Sequence, residues 1–86
     1  MVPELELERI FRAVMNLDAD RPVEGIVRGE FPAWDSLRHA ELILRIQDRL
    51  GIAFRGAEII RIDSYAKLRS LIEARMSARR GDPGDP

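Results

Sequence analysis

The sequence predicts an all-α protein, a four-helix bundle with a long loop between the first and second helices and a short third helix. Apolar residues recur at helical spacing in four segments, whereas the alternation typical of strands is weak. Residues 18–33 contain two prolines and two glycines, which mark an irregular connection between the first two segments. A chain of 86 residues suffices for one hydrophobic core, so we expect one domain over residues 1–80 and a disordered tail over residues 81–86.

The first helix is predicted from about Pro3 to Leu17. A proline is tolerated in a first helical turn, and the glutamates that follow it lie near the positive end of the helix dipole. The expected buried stripe consists of Leu7, Ile10, Phe11, Val14 and Leu17.

The connection over residues 18–33 is unusually long for a compact domain. A loop of this length across a helical bundle indicates that the first and second helices lie far apart or run nearly parallel. Four apolar side chains of the loop are expected to hold it against the core: Val23, Ile26, Val27 and Phe31.

The second helix is predicted to begin at Asp35–Ser36 and to end at Leu50, because Gly51 is a natural C-terminal stop. His39, the lone histidine, lies three residues after Ser36 on the same helix face. We expect His39 to be exposed, because no second histidine and no cysteine exist to complete a metal or nucleophilic site. The buried face is expected to comprise Leu37, Ala40, Ile43, Leu44, Ile46 and Leu50.

A short third helix is predicted over residues 56–62. The last helix is predicted from about Asp63–Ser64, either of which can cap it. Its apolar stripe consists of Tyr65, Leu68, Leu71 and Ile72. Three basic residues suit the negative end of its dipole: Arg75, Arg79 and Arg80.

Composition excludes several classes of function. The 14 basic and 15 acidic side chains nearly cancel, whereas a nucleic-acid binder usually has a basic excess or stripe. The chain has no cysteine, hence no disulfide and no thiolate of its own. No apolar run approaches the ~18 residues that span a membrane, and the acidic N-terminus is unlike a secretory signal. We expect a cytoplasmic monomer that binds no nucleic acid.

The most distinctive stretch covers residues 32–54 and contains Asp35-Ser36-Leu37 at the start of the second helix. Three further segments complete the pattern: Glu41-Leu42, Leu50-Gly51-Ile52 and Ile62-Asp63-Ser64-Tyr65. Together they resemble the acyl carrier protein family over about residues 7–72. The resemblance implies a helical bundle of acyl-carrier type. A protein of this kind is not itself an enzyme but holds acyl groups for the enzymes that act on them.

The resemblance implies that a phosphopantetheinyl transferase, with Mg²⁺ in its site, attaches 4'-phosphopantetheine from coenzyme A to Ser36. Asp35 would help to position that transferase, Leu37 would be an apolar docking contact, and Glu41 would be a charged one. Acyl-activating, acyltransferase or condensing enzymes would load and use a thioester on the sulfur of the arm, so a chain without cysteine suffices. The start of a helix also favours a phosphate, through its unpaired N–H groups and dipole.

Two departures from the family qualify what the resemblance implies. Trp34 stands where a typical carrier has a small residue, and a side chain of that size is expected to plug the core. The second helix carries three arginines against two acids, whereas family partners generally bind an acidic helix. Like charges repel, so we expect dedicated partners in a specialised pathway such as lipid or polyketide biosynthesis, with acidic groups facing Arg38 or Arg45.

Other interpretations stay open at this point. Ser36 or Asp35 can be an ordinary helix cap, and the chain can be an unmodified helical adaptor whose second helix docks a partner. A DNA-binding domain is disfavoured by the balanced charge, and a hydrolytic Asp35–Ser36–His39 site by the lack of an oxyanion-hole loop. The residues that would line an acyl cleft can equally be ordinary core: Leu42, Ile46, Ile59, Ile62 and Leu68.

Overall fold

The computed structural model describes residues 3–79. These residues form four α-helices and one short 3₁₀ turn: α1 (Pro3–Met15), the 3₁₀ turn (Arg28–Glu30), α2 (Ser36–Leu50), α3 (Gly56–Arg61) and α4 (Tyr65–Arg79). The predicted all-α bundle, with its long first connection and short third helix, is confirmed. No helix within residues 3–79 combines the length and the apolar character needed to cross a membrane. The tail expected at residues 81–86 and the basic Arg80 lie outside the described residues.

Local hydrogen bonding ends α1 two residues earlier than predicted. Asn16 adopts a left-handed backbone with φ 58°, and the N–H of Leu17 donates to the Arg12 carbonyl at 2.9 Å. These are contacts of a Schellman motif, which satisfies helix-end carbonyls that would otherwise lack a partner. The helix therefore stops at Met15, and the partly buried Leu17 packs against the core from outside it.

The predicted boundaries of α2 and α4 follow from residues with well-defined capping roles. Gly51 ends α2 with a left-handed φ of 67°, a conformation that costs glycine least. Ser64 Oγ accepts a hydrogen bond from the N–H of Lys67 at 3.1 Å. Of the two candidates at the start of α4, Ser64 is therefore the cap and Asp63 is not.

Helices α1 and α2 run antiparallel and touch along their length. At one end Arg38 Nη1 donates to the Val14 carbonyl at 3.0 Å, and at the other end Arg49 Nε donates to the Glu6 carboxylate at 3.0 Å. The start of α2 therefore lies at the end of α1. The expectation that these helices lie far apart or run parallel is wrong, because the long connection leaves and rejoins the same end of the pair and covers the core in between.

Helix α1 also packs against α4, again in antiparallel orientation. Near the start of α4, the ring of Tyr65 meets the ring of Phe11 edge-on, with 5.0 Å between centroids. Near the end of α4, Met76 lines a surface groove together with Pro3. Since α1 contacts both α2 and α4, it is the central helix of the bundle, and α2 and α4 run in the same direction.

The long connection is tied by its backbone to the junction of α3 and α4. The N–H of Arg28 donates to the Asp63 carbonyl at 2.8 Å, and the N–H of Tyr65 donates to the Ile26 carbonyl at 3.0 Å. These two bonds form an isolated antiparallel bridge. They fix the middle of the loop against the start of α4 without building a sheet.

Side chains of the connection also reach the core. Val23 and Ile26 are buried and Phe31 packs against the core, as predicted. Val27 exposes 37% of its surface, so its expected burial is wrong, and the loop is held there by backbone bonds instead. Trp34, at the end of the connection, is 2% exposed, which confirms its predicted role as a core plug.

The buried face of α2 differs from the predicted one. Leu37 and Leu44 expose 77% and 64% of their surface and Ala40 is exposed, so their predicted burial is wrong. At 3.6 residues per turn, these three share a stripe rotated by roughly 140° from the buried one. The helix thus carries two apolar stripes, and only one faces the core: His39, Leu42, Ile43, Ile46 and Leu50.

Candidate functional site

Ser36 is the first residue of α2 and its side chain is exposed. The residue before it, Asp35, has an extended backbone, and its Oδ1 accepts a hydrogen bond from the N–H of Arg38 at 2.9 Å. Asp35 is therefore the N-cap of α2, and the interpretation of Ser36 as the cap is wrong. The Ser36 hydroxyl makes no hydrogen bond with any other residue of the described chain, so its oxygen is open to chemistry.

The electrostatics at the start of α2 favour an anion at Ser36. The first turn of the helix contains no acidic residue, so nothing opposes the positive end of the dipole there except the capping carboxylate of Asp35. Backbone N–H groups of a first helical turn have no partner within the helix. A phosphate ester on Ser36 Oγ would lie beside these groups.

Trp34 and His39 form a buried polar pair on either side of Ser36. The indole Nε1–H of Trp34 donates to Nδ1 of His39 at 2.9 Å, and Nε2 of His39 lies 2.9 Å from the carbonyl oxygen of Ile59. An indole N–H can only donate and a carbonyl can only accept. The imidazole is therefore neutral, with its proton on Nε2 and directed at Ile59.

His39 is 6% exposed, so the expectation that it is an exposed helix residue is wrong. Burial lowers the pKa of the imidazole from its ordinary value of 6.5. The bond to the Ile59 carbonyl partly offsets this shift, and the positive charge of Arg28 lowers the pKa further. Because both ring nitrogens are engaged, His39 has no lone pair left to activate Ser36, and a hydrolytic Asp35–Ser36–His39 site does not form.

An exposed apolar surface lies next to Ser36. Leu37 and Leu44 are two helical turns apart on one side of α2, with Ala40 between them. Ile60 of α3 exposes 79% of its surface. We call the exposed stripe of α2, formed by Leu37, Ala40 and Leu44, the apolar surface; apolar side chains grouped in this way mark contact sites for other molecules.

Two contacts hold α3 against α2 and α4. The His39–Ile59 hydrogen bond joins α3 to the second turn of α2. The carboxylate of Glu58 accepts the N–H of Arg55 at 2.8 Å and pairs with the guanidinium of Arg75 on α4. Both partners favour the charged carboxylate, and the bond from the Arg55 N–H, followed by Arg75, lowers the pKa of Glu58.

The charged residues predicted to dock partners have internal contacts. Arg38 is half-buried and donates to the Val14 carbonyl, which places it between α1 and α2. Arg45 pairs with Glu41 at 2.8 Å, one turn away on the same helix, with side chains 54% and 44% exposed. Glu41 and Arg45 thus lie at the surface as a neutral pair, whereas Arg38 is part of the helix packing.

The residues considered for an acyl cleft lie in the core. Leu42, Ile46, Ile62 and Leu68 are each 0% exposed and belong to one continuous hydrophobic cluster. Ile59 is partly buried and packs against that cluster. In this state of the protein they pack as ordinary core residues.

Two residues of this region escaped sequence analysis, His39 as a buried bridge and Ile60 as an exposed apolar contact. The sequence does contain a signal for His39. Trp34 immediately precedes the cap and His39 is the fourth residue of the helix, and side chains at these two positions often contact each other. Ile60 has no such signal, because its neighbours Ile59 and Ile62 have the same side chain and face inward.

Comparison with known proteins returns no match to a family model, to a curated protein or to a solved structure. Within residues 3–79, no group of three or more His, Asp or Glu side chains is placed to hold a metal ion. The evidence for a function is therefore the sequence pattern around Ser36 and the geometry at the start of α2.

Proposed function

We propose that this chain is an acyl carrier protein that holds acyl groups as thioesters on a 4'-phosphopantetheine arm attached to Ser36. One observation carries the proposal: Ser36 stands exposed at the first position of α2 with a free hydroxyl, because the neighbouring Asp35 performs the capping. A serine that served as the N-cap would need its own oxygen for the helix. Here the helix is complete without it.

The chemistry required of Ser36 is simple. In the transfer, Ser36 Oγ forms a bond to the phosphorus next to the pantetheine of coenzyme A, the pyrophosphate bond breaks, and adenosine 3',5'-bisphosphate leaves. The hydroxyl proton goes to a base of the transferase, since both nitrogens of the nearby His39 are occupied. The chain supplies an accessible nucleophile and a helix end that favours the phosphate product.

The apolar surface fits the docking of the transferase and of acyl-handling partners. Leu37, the residue after Ser36, is 77% exposed, as a docking contact must be. Leu44 extends the same character along α2 away from the serine, and Ile60 is a further exposed apolar side chain on α3. Glu41 and Arg45 neutralise each other on the surface of α2. Apolar contacts therefore contribute more to docking on this helix than charge attraction does.

The partner enzymes are accordingly dedicated ones of a specialised pathway, with an apolar patch for the apolar surface and an acidic group for Arg45. Arg38 is a poorer contact, because its guanidinium is already bonded to α1. Exchange of the charges, Glu41→Arg with Arg45→Glu, keeps the pair on the helix but reverses its direction. We expect weaker binding to the cognate partner with unchanged stability, and equal binding would contradict the role of Arg45.

A second function is favoured by the same apolar surface. An unmodified helical adaptor would also expose Leu37, Leu44 and Ile60 to a partner. The two functions differ only in whether Ser36 is modified. The adaptor needs no hydroxyl, whereas the carrier depends on it entirely.

Intact-protein mass spectrometry separates the two. The chain is incubated with coenzyme A, Mg²⁺ and a broad-specificity phosphopantetheinyl transferase, alongside Ser36→Ala and Ser64→Ala. Ser64 is a matched control, because it also follows an aspartate and lies at the start of a helix. The carrier function predicts one added phosphopantetheine in the wild type and in Ser64→Ala and none in Ser36→Ala; no addition to any of the three, with a cognate transferase also tried, supports the adaptor.

A further inference from the structure

The buried pair formed by Trp34 and His39 sits where it controls the start of α2. With Asp35 as the cap, Trp34 is the residue just before the cap and His39 is the fourth residue of the helix. Apolar contact between these two positions is known to fix the angle at which a chain enters a helix. Here the contact includes a hydrogen bond of 2.9 Å and two rings whose centroids lie 6.0 Å apart.

This pair has firm support on both sides. The Trp34 ring is 2% exposed and meets the ring of Phe11 of α1 edge-on, with centroids 5.2 Å apart. His39 bonds through its other nitrogen to the Ile59 carbonyl of α3. The two side chains therefore connect α1, the loop, α2 and α3, and Asp35 and Ser36 are held between them in sequence.

We propose that Trp34 and neutral His39 are positioning residues for Ser36, and that their hydrogen bond opens when the imidazole takes up a proton. This inference rests on the proposed carrier function, and it assigns to the carrier a dependence on pH. A proton on Nδ1 would set two N–H donors against each other at a distance of 2.9 Å, so the ring or the indole must move. The start of α2 then loses the contact that fixes it, and Ser36 is presented less well to the transferase.

Within the described residues, none of the groups around the imidazole offers a carboxylate that would hold its protonated form in place. The 3₁₀ turn contributes the positive charge of Arg28, which opposes protonation. Helix α3 contributes the Ile59 carbonyl, and the carboxylate of its one acid, Glu58, is paired with Arg75 of α4.

The neighbours of His39 on its own helix are also engaged. The Asp35 carboxylate accepts the N–H of Arg38, and the Arg38 guanidinium donates to the Val14 carbonyl of α1. From α1, the residue packed on Trp34 is the uncharged Phe11. No nearby carboxylate among these groups is available to hold a protonated imidazole in place.

A competition experiment tests the proposal. Wild type and His39→Gln, whose amide can accept and donate but does not titrate, are mixed and modified by the same transferase between about pH 5 and 8. Intact masses give the ratio of the two products, in which the pH dependence of the transferase cancels. We expect a ratio near one at the alkaline end and a fall of up to about tenfold per pH unit below the pKa of His39.

A ratio that stays constant while both chains are modified overturns the positioning pair and leaves the carrier function intact. Modification of neither chain at any pH refutes the carrier function, and the positioning role with it. The indole N–H of Trp34, the one tryptophan of the chain, gives a readout on the wild type without any variant. Its NMR resonance should shift in one titration below pH 6.5, the ordinary histidine value, and a resonance independent of pH overturns the proposal.

Discussion

Replacement of Arg38 by methionine tests whether this residue packs the bundle or meets partners. Methionine keeps an unbranched apolar stem but removes the guanidinium that donates to the Val14 carbonyl at 3.0 Å. Val14 lies in the last turn of α1, where carbonyls lack a partner within the helix. A hydrogen bond from a charged group contributes about 1.5–3 kcal/mol, and a cation at a helix C-terminus about 0.3–1 kcal/mol.

Arg38 is only half-buried, so we expect the low end of this range, a loss of about 1.5–2 kcal/mol in the free energy of unfolding. For a domain of this size, that loss lowers Tm by about 6–16 °C. The matched control is Arg45→Met, which removes an exposed pair with Glu41 on the same helix and should cost no more than about 0.5 kcal/mol. The assay is urea unfolding with a common m-value. Equal losses for the two variants, or a smaller loss for Arg38→Met, would refute the assignment of Arg38 to the helix packing.

Three further predictions concern burial, backbone and pH. Leu42→Ala removes a fully buried side chain and should cost about 2–5 kcal/mol, whereas Leu44→Ala, at 64% exposure, should change stability by less than about 0.5 kcal/mol in the same urea assay. Gly51→Ala places a Cβ on a residue with φ 67° and should lower the free energy of unfolding by about 1 kcal/mol. Gly25→Ala adds a Cβ that meets nothing within 4 Å and should leave stability unchanged or raise it. Thermal unfolding of both variants tests the difference. Because the pKa of His39 is lowered on folding, the unfolded chain binds more protons in the window below pH 6.5, so stability should fall as pH drops through that value and level off below the lowered pKa. This part of the acid loss should vanish in His39→Gln, and an identical pH profile for variant and wild type would contradict it.

Helix positions were predictable from sequence because their determinants are local. Asp35, Ser64 and Gly51 act on hydrogen bonds within a few residues of themselves, and each begins or ends a helix as expected. The relation between helices was not predictable in the same way. It depends on contacts such as Arg49 with Glu6, which are distant in sequence, and the length of the loop gave the wrong answer because the loop covers the core rather than spanning a gap.

The candidate site was only partly predictable for a related reason. The position of Ser36 at the start of α2 followed from the motif, and the burial of Trp34 followed from side-chain size. The division of α2 into an inward and an outward apolar stripe did not, since Leu37 and Leu42 are the same residue type and only the packing of the bundle distinguishes them. The burial of His39 requires the Ile59 carbonyl, a backbone group that no side-chain pattern reports.

The most direct test of the carrier function is to map the modification on the wild-type chain. After incubation with coenzyme A, Mg²⁺ and the transferase, the protein is digested and its peptides are sequenced by mass spectrometry. We predict one phosphopantetheine on the peptide that contains Ser36, with all other serines unmodified. A modification on any other residue, or no modification with a cognate transferase, would contradict the carrier function. Ser36 would then be only an exposed residue that follows the cap formed by Asp35.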